Sequence, residues 1–200
     1  MALDIPLRCA CGKLRGVVLN VSPASGTRTV CYCKDCQAFA RFLGRDDVMD
    51  RWGGTDVFQI NQGRVRIYED DRALACMRLS DKGMHRWYCA ACKTPVGNTF
   101  GPNLPVVGLV LAFVDPSARG VSIDAALGPA TIVQTKAARG ADAPRERKRQ
   151  LAALIARAAR NMAKWKLTGT GKPSPFFDDR SGAPRATPRV LTSSERAQLS

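Results

Sequence analysis

The sequence contains no apolar run long enough to cross a membrane. Its longest run, Val106–Val114, has the length of a strand, whereas a membrane-spanning helix needs about 18 consecutive apolar residues. The first residues, Met1–Pro6, also lack the basic start and the apolar core of a secretion signal. We therefore expect a cytoplasmic protein, whose cysteines are kept reduced.

Acidic residues and histidine are scarce as well. The chain has 31 Lys and Arg against 17 Asp and Glu, for a formal net charge of +14, and His85 is the one histidine. Such a balance favours anionic partners, among them nucleic acid, acidic membrane surfaces and small anions. If His85 takes no part in catalysis, proton transfer would fall to bound water or to a carboxylate such as Asp35.

Cysteine, in contrast, is concentrated. Of the 8 cysteines, all but Cys76 fall in three tight clusters. The clusters are Cys9-x-Cys11, Cys31-x-Cys33-x-x-Cys36 and Cys89-x-x-Cys92. In a reducing compartment such spacings are typical of metal sites rather than of disulfides. Zinc takes tetrahedral sulfur sites of this kind, with Zn–S bonds of about 2.3 Å.

The cysteine count predicts two Zn²⁺ ions per chain. The two pairs supply four thiolates, which would close a structural site, while the triplet supplies three and leaves one position for water or a substrate. Cys76 or His85 could close the triplet instead. We favour a buried core position for Cys76 and a packed position for His85. An iron–sulfur cluster fits these spacings less well than zinc does.

The first part of the chain reads as strands separated by turns, which predicts a mainly β fold. The predicted strands are Leu3–Arg8, Lys13–Leu19, Val57–Ile60, Val65–Tyr68, Ala73–Leu79, His85–Tyr88 and Val106–Val114. Asn61–Gly63 and Ser80–Gly83 predict hairpin turns. Two short helices are predicted over Asp35–Leu43 and Arg45–Trp52. Cys36 would lie in the first turn of its helix, where the helix N-terminus favours a thiolate.

The composition changes after residue 128. We expect a zinc-binding β domain over residues 1–128 and a basic helical extension with a Pro- and Gly-rich tail over residues 129–200. Arg145–Leu167 predicts an amphipathic helix. Its apolar stripe consists of Leu151, Leu154, Ile155, Ala158, Met162 and Trp165. Its basic faces could bind nucleic acid or an acidic membrane surface, but we favour docking of the stripe on the β domain or on a second copy of the chain.

The order of the clusters resembles a known family. Together with Ser80-x-x-Gly83-x-x-Arg86-Trp87-Tyr88 before the last pair, it resembles the glutathione-dependent formaldehyde-activating enzymes and their relative centromere protein V, over about residues 5–115. The resemblance implies a tent-like zinc-binding fold of antiparallel β-sheets. It places Cys9, Cys11, Cys89 and Cys92 on a structural zinc, and Cys31, Cys33 and Cys36 on a catalytic zinc.

The resemblance also implies an activity, that of a carbon–sulfur lyase acting on the adduct of glutathione and formaldehyde. Two positions depart from the family pattern. Tyr32 stands where histidine is common, and Lys93 stands where glycine is common. The alternative is a non-catalytic, zinc-stapled module that binds nucleic acid or protein partners through its basic C-terminal helix.

Overall fold

The computed structural model describes residues 2–70, 72–120 and 123–199. These residues form a mainly β fold with four α-helices. The strands are β1 (Leu3–Arg8), β2 (Leu14–Val21), β3 (Gly26–Cys31), β4 (Thr55–Asn61), β5 (Val65–Glu69), β6 (Leu74–Arg78), β7 (His85–Cys89), β8 (Pro95–Thr99), β9 (Val106–Val110), β10 (Thr131–Val133) and β11 (Arg189–Val190). The helices are α1 (Lys34–Phe42), α2 (Ile123–Leu127), α3 (Lys148–Leu167) and α4 (Ser193–Gln198). The mainly β prediction is confirmed.

The strands form two sheets. A small antiparallel sheet has the order β1-β2-β5, and a large sheet has the order β10-β3-β4-β9-β8-β7-β6-β11. Within the large sheet, β10 runs parallel to β3 and β11 runs parallel to β6, while the other pairs are antiparallel. Both edge strands therefore come from the part of the chain after residue 128.

One hydrophobic core joins the two sheets. Leu14 and Val18 of β2 and Ile60 of β4 are almost fully buried in it. Leu14 and Val18 are separated by exposed and half-buried positions of β2 and lie on the same face, as expected for a strand that faces a core on one side. Phe176 and Phe177 from the C-terminal tail lie in the same core, and burying each of these rings contributes about 1.5–3 kcal/mol.

Most predicted strands and one of the two hairpin turns are confirmed. The turn over Ser80–Gly83 joins the antiparallel strands β6 and β7, and the Gly83 amide donates to the Ser80 carbonyl at 3.0 Å. The turn over Asn61–Gly63 was predicted wrongly. A short 3₁₀ helix, Gln62–Arg64, follows β4. It carries the chain from the large sheet into β5 of the small sheet, so β4 and β5 do not pair.

The helix predicted over Arg45–Trp52 is also wrong. Only a 3₁₀ turn, Asp46–Val48, forms there. The Asp50 side chain accepts hydrogen bonds from the amides of Trp52, at 2.9 Å, and Gly54, at 2.8 Å. An aspartate that satisfies the amides following it favours a turn over a helix.

The chain after residue 128 packs on the β-sheets. α3 begins at Lys148, three residues later than the sequence predicts, and contacts β3 and β10. Among the described residues, no helix is long and apolar enough to cross a membrane.

Candidate metal centres

The first cysteine cluster lies between the two sheets. Cys9 and Cys11 follow β1, whereas Cys89 ends β7 and Cys92 lies in the turn before β8. All four Sγ atoms lie within 4.8 Å of one another. The Cys9–Cys11 and Cys11–Cys89 sulfur distances are 3.5 and 3.8 Å, and tetrahedral zinc holds its sulfurs about 3.8 Å apart. The donor set therefore fits a four-sulfur zinc site.

Hydrogen bonds hold these sulfurs in place. The Leu14 amide lies 3.2 Å from the Cys9 Sγ, and the Thr94 hydroxyl lies 3.2 Å from the Cys92 Sγ. Burial raises the pKa of Cys92, but hydrogen bonds from Thr94 and from the backbone outweigh it and lower the pKa to about 6. Lys93 adopts a positive φ of 58°, the conformation that favours glycine. The glycine that the family resemblance implies at this position would adopt the same conformation more readily.

The second cluster is local in sequence. Cys31 ends β3, Cys33 caps α1 and Cys36 lies in the first helical turn, as predicted. The three Sγ atoms lie within 4.8 Å of one another, and no fourth His, Cys, Asp or Glu of the described residues joins the group. Three sulfurs can occupy three tetrahedral positions of zinc and leave the fourth for an outside ligand.

The charge within the triplet favours Cys33 rather than Cys36. Hydrogen bonds from Cys31 and Cys36 lower the pKa of Cys33, with further help from the Cys36 amide, 3.3 Å from its sulfur. The hydrogen bonds with Cys31 and Cys33, together with burial, raise the pKa of Cys36. The N-terminus of α1 acts on the Cys33 sulfur, which accepts a hydrogen bond from the Cys36 amide. Binding a metal requires all three sulfurs to be deprotonated.

Arg86 is a further site residue, and sequence reasoning did not single out its role. Its side chain in β7 is only 1% exposed. The guanidinium donates to Asn98 at 3.3 Å, lies 3.8 Å from the Asp35 carboxylate, and its Nε has no hydrogen-bond partner among the described residues. Its positive charge contributes to the low pKa of Cys33. The signal in the sequence was an arginine placed among the aromatic residues His85, Trp87 and Tyr88 of a strand.

A cavity of about 590 Å³ opens over the triplet. The three cysteines form one end of it, strands β3, β4 and β9 form a wall, and α3 covers it. The residues that α3 contributes are Leu151, Ile155, Ala158, Asn161, Met162 and Trp165. The apolar stripe therefore faces the sheet across this cavity, which agrees with the preference for docking on the β domain.

Two other candidate residues lie away from both metal centres. Cys76 is 3% exposed in the core, and burial raises its pKa to about 12. His85 stacks on Trp87 with a ring-centroid distance of 6.1 Å and contacts Phe177 edge-on at 5.3 Å. Neither belongs to a cysteine cluster, which agrees with the core and packed positions that we favoured for them.

Tyr32 and Asp35 make other contacts. The Tyr32 hydroxyl donates to Asp50 at 2.7 Å, and the ring is 1% exposed. Asp35 pairs with Arg196 of α4 at 2.9 Å. Asp35 does not line the cavity, so the structure gives no support to its use as a catalytic base there.

Comparison with known proteins places the chain in a family whose function is unknown. No curated protein matches this chain. Residues 1–187 match the model of a family of unknown function, DUF6151. The matched range contains both cysteine clusters and α3, so it extends well beyond the region of the sequence resemblance. The chain therefore belongs to the DUF6151 family of unknown function.

Proposed function

We propose that this protein binds two Zn²⁺ ions and forms or cleaves a carbon–sulfur bond in a thiol–aldehyde adduct at the triplet. One observation carries the proposal. Cys31, Cys33 and Cys36 bring three sulfurs within 4.8 Å of one another at one end of a cavity, with no fourth ligand among the described residues. The resemblance to glutathione-dependent formaldehyde-activating enzymes supports the class of adduct.

The chemistry of the donors supports zinc. All eight cysteines are free thiols, which a reducing compartment such as the cytoplasm would preserve. Sulfur-only sites of three or four thiolates suit Zn²⁺. Zn²⁺ held by the triplet would supply Lewis acidity toward a thiol sulfur or a carbonyl oxygen.

The residues around the triplet would organise the reaction. Three thiolates and one Zn²⁺ carry a net charge of −1, which the buried Arg86 offsets. The helix α3 covers the cavity and limits the access of water. In the addition direction, the S–H group of the thiol adds across the C=O bond, so that a C–S bond forms and the proton passes to the carbonyl oxygen. Cleavage is the reverse, and no electron donor or acceptor is needed.

Proton exchange takes place at the mouth of the cavity. The cavity lining contains no imidazole or carboxylate among the described residues. Water at the open end is therefore the group that exchanges the proton of the thiol or of the adduct hydroxyl.

Metal counting tests the proposal. Elemental analysis of the full chain should find about two zinc ions in the wild type and about one after Cys31→Ser, Cys33→Ser or Cys36→Ser. The Cys76→Ala variant is the matched control and should keep both ions, because Cys76 lies outside the clusters. A single zinc in the wild type that survives the triplet substitutions would sink the proposal, as would the visible absorption of an iron–sulfur cluster.

Turnover gives the second test. Wild-type protein with two zinc ions should accelerate the loss of free thiol in the presence of formaldehyde, and the triplet variants should not. The thiols tested are glutathione, which the family resemblance suggests, and the uncharged 6-mercaptohexan-1-ol. Equal rates for the wild type and the triplet variants with both thiols would show that the site has no catalytic role.

Nucleic-acid binding is a second candidate, and one observation favours it. While the stripe of α3 faces the sheet, Lys148, Arg149, Lys164 and Lys166 remain exposed to solvent. We propose that these side chains can contact phosphates. A gel shift that weakens steeply with salt and disappears when all four are changed to Gln would support this function. A shift unchanged in that variant would exclude the helix as its cause.

A further inference from the structure

The lining of the cavity over the triplet is chemically uniform. Apart from the cysteines, most of it is aliphatic or aromatic, and the polar groups are neutral hydroxyls and amides such as Thr27, Gln59 and Asn98. Among the described residues, no Lys, Arg, Asp or Glu lines it. Its volume of about 590 Å³ lies within the range of small-molecule sites, roughly 300–1,000 Å³, which are mostly apolar with a few placed polar groups.

Among the described residues, the basic side chains lie outside the lining of this cavity. The basic residues of α3 such as Lys148 and Lys164 are exposed on its solvent face. Arg86 is a buried cation beside the triplet. It lines a separate crevice beside Cys36, and Asn98 and Asp35 already engage it. A ligand carboxylate inside the cavity would thus lose its hydration without gaining a cationic partner, which is strongly unfavourable.

Asn161 of α3 supplies an unused hydrogen-bond donor. The residue is 8% exposed, and its Nδ2 is buried without a hydrogen-bond partner among the described residues. Asn161 and Trp165 lie between the large cavity and a second one of about 420 Å³ on the other side. A buried donor without a partner is costly, and an acceptor oxygen on a ligand would satisfy it.

The mouth of the cavity is apolar too. Phe100, which follows β8, is 62% exposed, and Ile155 of α3 is 59% exposed, and both line the cavity. Large apolar side chains left in solvent around an opening mark a site that receives an apolar ligand.

From these observations we infer that the cavity selects an uncharged thiol, or its aldehyde adduct, whose apolar body lies under α3 and whose neutral oxygen accepts a hydrogen bond from Asn161. The inference rests on the proposed function, because both place the sulfur of the ligand at the triplet. It predicts that glutathione, which carries two carboxylates and an ammonium group, is a poor ligand.

A matched series of thiols tests the inference by calorimetric titration of the zinc-loaded full chain. The series is hexane-1-thiol, 6-mercaptohexan-1-ol, 6-mercaptohexanoate and glutathione. We expect 6-mercaptohexan-1-ol to bind tightest, about threefold to tenfold tighter than hexane-1-thiol. It should bind at least about tenfold tighter than 6-mercaptohexanoate or glutathione. Equal or tighter binding of either carboxylate would overturn the inference.

Two neighbouring alanines of α3 provide a matched pair of variants. Ala158 lines the cavity, whereas Ala159 is exposed on the same helix. Ala158→Phe should weaken binding of 6-mercaptohexan-1-ol about tenfold or more by filling the cavity, and Ala159→Phe should leave it unchanged. Zinc content is measured for both after titration. If both variants bind with wild-type affinity and keep their zinc, the thiol does not lie under α3 and the inference fails.

Asn161→Leu tests the donor. This variant should bind hexane-1-thiol and 6-mercaptohexan-1-ol equally, because the hydroxyl loses its donor. A folded Asn161→Leu protein that keeps the preference for the hydroxyl would contradict the assigned role of Asn161.

The binding readout separates this inference from the proposed function. Selective binding of the uncharged thiols without any turnover of their aldehyde adducts would leave the inference standing and remove the lyase proposal. Turnover with glutathione at least as fast as with 6-mercaptohexan-1-ol would support the lyase proposal and contradict the inference about an uncharged thiol. Loss of zinc from the wild-type triplet would remove both.

Discussion

At the scale of single residues, Arg86 has the largest expected effect on the triplet. It lies buried beside the cysteines, and its Nε has no hydrogen-bond partner in the part of the chain that the structure describes. Its charge would offset the negative charge of a zinc ion with three thiolates. Arg86→Gln should weaken zinc retention at the triplet about 10–100-fold, the usual cost of losing a partner of a metal site. Competition with a chelator measures the zinc affinity of the triplet in the wild type and in the variant. Arg78→Gln, on the adjacent strand, is the control and should leave both sites unchanged.

Cys76 is expected to make the stability of the fold depend on pH. Burial raises the pKa of its thiol from 9.0 to about 12, so the folded state favours the neutral thiol. Its contribution is complete below pH 9 and is lost as the pH rises from 9 toward 12, with a slope of about 1.4 kcal/mol per pH unit. Urea unfolding of the wild type and of Cys76→Ala over this range tests it. Identical slopes would contradict the prediction.

At the scale of elements, the two phenylalanines of the tail tie the C-terminal region to the large sheet. Phe176 and Phe177 pack on Trp87 of β7 at ring-centroid distances of 5.1 and 5.7 Å. Phe177→Ala should lower the free energy of unfolding by about 3–5 kcal/mol, since it leaves a cavity in the core. Denaturant unfolding measures the change. Phe100→Ala serves as the control, and its exposed ring should cost less than about 0.5 kcal/mol.

The elements show how far sequence patterns reach. Strands with strong apolar alternation, such as β1 and β2, and the helix after the triplet could be predicted because local periodicity specifies them. Strand β3 was not predicted, because Gly26–Cys31 mixes glycine, threonine and arginine. It forms a strand only through pairing with β4 and β10. The very short strands β10 and β11 were not predicted either, because they too depend on pairing with a neighbouring strand.

The candidate site divides in the same way. Cysteine spacing was enough to predict the triplet and the two pairs, since each is local. The grouping of the two pairs on one ion came from the cysteine count and the family resemblance. The cavity could not be predicted, because it arises where α3 lies over β3, β4 and β9, which are distant from it in sequence. The roles of Arg86 and Asn161 could not be predicted either, because they depend on packing between segments that are distant in sequence rather than on a motif.

At the scale of the whole molecule, the four-sulfur site links the two sheets. Cys9 and Cys11 follow a strand of the small sheet, and Cys89 and Cys92 flank a turn of the large one. Removing this site with Cys89→Ser should lower the Tm by about 10 °C or more, as expected for the loss of roughly 5 kcal/mol of metal-coupled stability. Thermal unfolding measures the loss.

The triplet provides the comparison for that experiment. Because Cys31, Cys33 and Cys36 are adjacent in the chain, Cys33→Ser should lower the Tm much less than Cys89→Ser does. A larger loss for Cys33→Ser would contradict the division into a structural and a functional site.

The origin of the two edge strands has a consequence for synthesis of the protein. Until β10 and β11 leave the ribosome, the longer strands β3 and β6 form the margins of the large sheet, and their unpaired backbone groups can recruit strands from other chains. The nascent protein is therefore most prone to aggregate before β11 has been made and has paired with β6. Chaperones that bind exposed strands are expected to protect it during that interval.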